Sequence, residues 1–71
     1  DGEAIKAPMP GIILDIKVAA ASKVKKGDVI FILEAMKMEN EITAPSDGNI
    51  IQILTAKGST VNTGDILAVI Q

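Results

Sequence analysis

Apolar and polar residues alternate along much of this chain, in short runs separated by turn residues. From Ile12 to Val18 the apolar positions Ile12, Leu14, Ile16 and Val18 share one face, and Asp15 and Lys17 share the other. That period of two predicts a half-buried strand. Val29 to Glu34 is the strongest strand signal, β-branched and apolar. The polar Glu34 marks the face of Ile30 and Ile32 as the more exposed one, which assigns Val29, Phe31 and Leu33 to the core. Ile5-Lys6-Ala7 reads as a short strand stopped by Pro8, since proline has no ladder donor and biases its predecessor toward extended backbone. Val24 begins an edge strand whose flanking lysines discourage pairing with another chain. Glu39 to Ala44, Asn49 to Leu54, Thr60 to Asn62 and Ile66 to Ile70 supply further strands. Met9-Pro10-Gly11 and Ser46-Asp47-Gly48 are turns between them. Ala19 to Lys23 is rich in alanine, but its counterpart Ala56 to Thr60 contains Gly58, which argues for loop in both. The sum is about eight short strands and no helix, hence an all-β fold of two packed antiparallel sheets or a flattened barrel.

The pattern occurs twice. Residues 5–34 lie over residues 42–71 without a gap, and eleven of the thirty pairs are identical, among them Ala7/Ala44, Pro8/Pro45, Gly11/Gly48, Ile13/Ile50 and Gly27/Gly64. Two copies are too few for a solenoid. They predict one domain over residues 5–71, made of similar halves related by a quasi-two-fold, with residues 1–4 as a linker remnant. Residues 35–41 stand outside the repeat as the hairpin that joins the halves. Under that symmetry the hairpin and the chain ends fall at opposite ends, and Met36-Lys37 becomes a projecting tip.

Composition narrows the function. A chain of 71 residues buries only about 60% of its unfolded surface, and without cysteine it has no disulfide or thiolate-metal staple. Its 48% apolar content, almost all aliphatic, must supply the core. A net charge of −2 and a single aromatic, Phe31, argue against a nucleic-acid surface. The apolar run from Val29 to Leu33 is too short to span a bilayer. No signal-peptide pattern is present, so a domain of a longer cytoplasmic polypeptide is expected.

Candidate chemistry is sparse. With no histidine and no cysteine, the commonest general base, the thiol nucleophile and most transition-metal sites are missing. Ser22, Ser46 and Ser59 have no evident partner base, and Asp28 and Asp65 follow glycines as turn formers do. The chain is therefore read as non-catalytic. Most exposed lysines only confer solubility, and methionines beside a turn are ordinarily adaptable filler. Lys37 departs from that reading by its place at a hairpin tip between Met36 and Met38. A solvated lysine amine is a weak nucleophile at neutral pH, which makes it a handle for another enzyme rather than a catalyst.

Glu34-Ala35-Met36-Lys37-Met38-Glu39, set between two such repeats, resembles the attachment motif of biotinyl domains, the biotin carboxyl carrier family. The resemblance runs from about Ile5 to Ile70 and includes Ala7-Pro8-Met9-Pro10-Gly11, Gly27-Asp28, Ala44-Pro45-Ser46-Asp47-Gly48 and Gly64-Asp65. It implies a flattened barrel of two four-stranded sheets, biotin joined by an amide to Lys37, and Met36 and Met38 as flanking recognition residues. Glu34 and Ala35 complete the motif. The implied partners are biotin protein ligase and the carboxylase, carboxyltransferase or decarboxylase components between which a carboxyl group is shuttled. Val18 to Val24 aligns with Thr55 to Val61 without insertion, so the thumb of the acetyl-CoA carboxylase type is absent. That implies the carriers of transcarboxylase, pyruvate or acyl-CoA carboxylases and sodium-pumping decarboxylases. The nearest alternative is a lipoyl domain, in which the tip lysine usually follows an acidic residue and precedes alanine. A carrier-like domain used only for assembly, and an independent enzyme, are the remaining alternatives.

Overall fold

Eight strands account for the alternating runs in a computed structural model that describes residues 2–71. They are β1 (Glu3–Lys6), β2 (Gly11–Ile16), β3 (Lys23–Val24), β4 (Val29–Ala35), β5 (Met38–Thr43), β6 (Gly48–Ile53), β7 (Thr60–Val61) and β8 (Ile66–Ile70). They form two four-stranded sheets, ordered β1-β8-β6-β3 and β5-β4-β2-β7, with every pairing antiparallel. No helix occurs among the described residues, and the Ala19–Ser22 stretch is a loop.

The halves do not simply pack against each other. Each lends two strands to the other's sheet: β1 and β3 of the first half pair with β8 and β6, while β5 and β7 of the second pair with β4 and β2. Neither half can satisfy its backbone without the other. The linker assigned to residues 1–4 is too long, because Glu3 and Ala4 pair with Ile70 and Val69. Asp1 lies outside the described residues.

The repeat extends to irregularities that alternation cannot show. The β2–β4 ladder slips between Ile13 and Asp15, and the β6–β8 ladder slips at the equivalent point between Ile50 and Gln52. A second pair of bulges leaves Ile30 and its counterpart Leu67 as extra residues opposite β5 and β1. A bulge adds one residue to one strand and so reverses the facing of the residues beyond it. Consequently Ile13, and not Ile12, is the core residue of β2: Ile13 is fully buried and Ile12 is 41% exposed. Ile16 and Val18 still pack against the core, as predicted, because the extra residue Leu14 brings them round to the side of Ile13. In the same way Ile30, expected on the exposed face, is buried together with Phe31 and Leu33.

The core runs between the sheets and takes matched residues from both halves, including Ile13 with Ile50, Ile30 with Leu67, and Leu33 with Ile70. Phe31 is the largest fully buried side chain, whereas its counterpart in the second half is the small, equally buried Ala68. Among the described residues no polar side chain is buried. Gly27 and Gly64 occupy equivalent turns, with φ of 92° and 85°, and donate to the carbonyls of Ala44 and Ala7 at 2.9 and 2.8 Å.

Candidate functional site

The β4–β5 hairpin carries the site. Its arms pair from Val29↔Thr43 up to Ala35↔Met38, which leaves Met36 and Lys37 as a two-residue loop. Both have positive φ, 54° and 63°. That is the type I′ geometry whose twist matches a hairpin, and it normally selects Asn-Gly. For a residue with a Cβ this conformation costs about 1–2 kcal/mol. The chain therefore holds two unfavourable residues at its tip, and strain of this kind gathers at functional positions.

Alternation along β4 explains the neighbours. Leu33 points inward, Glu34 outward and Ala35 inward again, with Ala35 only 6% exposed. Met36 is 90% exposed and Met38 64%, far more than apolar side chains of that size ordinarily are. Lys37 is exposed as well. Among the described residues the one ion pair joins Asp15 to Lys17 at 2.8 Å, so none of their carboxylates ties down the Lys37 amine.

Two residues support the hairpin in ways that sequence reasoning did not assign to them. Asn40, opposite Leu33, is half-buried and donates its side-chain amide to the carbonyls of Leu33 and Met38 at 3.4 Å, bracing the hairpin arm. Gly11 lies against the base of the tip: a Cβ there would stand 2.3 Å from the Glu34 carbonyl oxygen. The sign of the second was the Gly11/Gly48 identity in the repeat, since a Cβ on Gly48 would meet the Gln71 carbonyl oxygen at 2.6 Å.

The arrangement suits an amide-linked group. An exposed primary amine stands at the apex of a two-residue turn, flanked by exposed methionines. The family model described as "Biotin-requiring enzyme" matches residues 3–70. The chain belongs to that family. It is a carrier domain for covalently bound biotin, without catalytic machinery of its own. Over 40 residues it is 62% identical to the methylmalonyl-CoA decarboxylase gamma subunit of Veillonella parvula, a match covering 56% of this chain and 31% of that protein. Over 39 residues it is 59% identical to the mitochondrial pyruvate carboxylase of Mus musculus, covering 55% of this chain and 3% of that one. The urea carboxylase of Kluyveromyces lactis contains the same fold, with a TM-score of 0.93 and 34% identity over all of this chain and 6% of the carboxylase. The matched stretch is thus under a third of each relative's length. These relatives favour the biotin reading over the lipoyl one. No helix among the described residues is long and apolar enough to cross a membrane.

Proposed function

We propose that Lys37 is the residue that takes biotin, and that the loaded domain shuttles a carboxyl group between two active sites of a biotin-dependent carboxylase, decarboxylase or transcarboxylase. The observation that carries this reading is the strained, exposed Met36-Lys37 turn, whose apical amine forms no ion pair with a carboxylate of the described residues. Biotin protein ligase, using ATP, joins the ε-amine to the biotin carboxyl as an amide, and the positive charge of the amine is lost. Met36 and Met38 offer the ligase a soft apolar surface on either side of its target. Once attached, biotin supplies a ring nitrogen that can accept a carboxyl group.

The chain's own contribution is positional. The sheets hold the tip rigid, and the turn aims the side chain away from the barrel. The chain ends are the counterpart, under the quasi-two-fold, of the tip: Glu3 pairs with Ile70 where the other sheet closes its hairpin. A tether there leaves Lys37 pointing outward and makes each delivery effectively intramolecular.

The test is the intact mass after incubation with biotin protein ligase, ATP and biotin. One biotinyl group is expected on the wild type and none on Lys37→Arg. Modification by a lipoate ligase instead, with no biotin added, would overturn the reading.

A further inference from the structure

Methionine carries all the sulfur of this chain, which has three methionines and no cysteine. The fold divides them into two kinds. Met9 is partly buried and packs against the core. Met36 and Met38 take no part in the core. At 90% and 64% they are the most exposed large apolar side chains of the described residues. The others, Ile12, Ile51, Leu54 and Ile66, are 41% to 48% exposed and are pure hydrocarbon. The two side chains most open to solutes are therefore also oxidisable, and both adjoin Lys37.

A peroxide oxidises such a thioether by two electrons. The sulfur lone pair attacks one peroxide oxygen and the O–O bond breaks. A sulfoxide S–O bond forms, and with hydrogen peroxide the second oxygen leaves as water with both hydrogens. Susceptibility follows exposure, and no thiolate of this chain competes for the oxidant. The product is polar and chiral where the reduced side chain was apolar and flexible. Against an apolar partner surface its S–O group would be buried without a hydrogen bond, which is unfavourable. Because neither tip methionine packs in the core, the same change costs the fold little.

We propose that Met36 and Met38 form a reversible oxidation site for peroxides, and that their sulfoxides withhold Lys37 from biotin attachment. The inference rests on the reading of Lys37 as the biotin site and of the methionines as the apolar surface met by the ligase. It adds a control on that attachment. Reduction of the sulfoxides returns the thioethers, so an oxidised chain is left unloaded without being damaged.

The test uses the unbiotinylated chain. It is treated with hydrogen peroxide, the oxidant is removed with catalase, and each methionine is followed by peptide mass spectrometry. Met36 and Met38 are expected to oxidise several-fold faster than Met9. Biotinylation by biotin protein ligase should then slow about tenfold, the scale of a lost apolar contact, with Tm unchanged. The two methionine sulfoxide reductases, one for each epimer, should restore the rate. Met9→Leu should show the same slowing. In Met36→Leu/Met38→Leu, whatever its starting rate, the ratio of treated to untreated rate should be one. Equal rates for oxidised and reduced wild type overturn the proposal. So does slowing that persists in Met36→Leu/Met38→Leu, that the reductases do not reverse, or that accompanies a fall in Tm. An untreated chain that takes no biotin sinks the attachment reading and this one with it, whereas equal rates sink this one alone.

Discussion

Ala21 and Gly58 stand at equivalent points of the repeat and both adopt left-handed backbone, with φ of 75° and 90°. Each closes the same contact at 2.7 Å, Ala21 donating to the Ile50 carbonyl and Gly58 to that of Ile13. This conformation costs alanine about 1–2 kcal/mol, whereas glycine loses only about 0.5–1 kcal/mol through its greater unfolded-state freedom. Ala21→Gly should therefore stabilise the domain by about 0.5 kcal/mol, raising Tm by roughly 2–4 °C. Gly58→Ala should lower stability by a similar amount, since nothing lies within 4 Å of the added Cβ and the cost is conformational alone. Thermal unfolding of both variants checks the pair, and a fall in Tm for Ala21→Gly would contradict it.

Gly11 and Gly48 fill the same role by closeness rather than by φ. A methyl at either would press on backbone, the Glu34 or the Gln71 carbonyl, which cannot rotate away. Gly11→Ala and Gly48→Ala are each expected to cost about 2–3 kcal/mol by overpacking. Only Gly11→Ala should also slow modification of Lys37 beyond its effect on stability, because Glu34 sits at the base of the tip. Urea unfolding and the ligase rate, measured on both variants, separate the two effects.

At the tip, Met36→Asn replaces a strained residue by one suited to the first position of a type I′ turn. With Met36 90% exposed, no burial is lost. Stability should rise by about 0.5–1 kcal/mol while the rate of biotinylation falls, the opposite signs marking a residue kept for recognition and not for the fold. A variant that gained neither stability nor lost rate would remove the argument from strain.

Asp15 and Lys17 give a pH dependence whose sign can be worked out. The Lys17 ammonium bonded to Asp15, with help from the Ile16 N–H, holds the Asp15 carboxyl below its ordinary 3.8; the same bond lifts Lys17 above its ordinary 10.5. The stabilisation from Asp15 is then present above 3.8 and is lost as pH falls through its lower folded value. That from Lys17 is complete below 10.5 and lost as pH rises through its higher one. The contribution is small, since both groups are exposed and screened by solvent. In Lys17→Leu, which copies Leu54 of the other half, the Asp15 titration measured by NMR should move back up toward 3.8.

The position of the candidate hairpin was legible before any fold was known. The repeat located the hairpin between residues 35 and 41, and the unpaired Met-Lys-Met inside it singled out Lys37, because a lysine outside both copies has no duty to the core. The left-handed backbone at Met36 and Lys37 was not legible. Neither residue prefers it, and it is imposed by the twist of the two arms that the turn must join.

What the sequence alone determined was the local grammar: two copies of one strand-and-turn pattern, the positions of the turns, the absence of helix and the isolation of the Lys37 segment. Tertiary structure decided which strands pair and which way their side chains face. Strict alternation puts Ile12 and Ile30 on the wrong faces because it assumes an unbroken ladder, and a bulge exists only between two strands. The exchange of β1 and β3 for β5 and β7 was equally hidden. It satisfies backbone groups on edges that each half would otherwise leave open, and that requirement arises only when the halves meet.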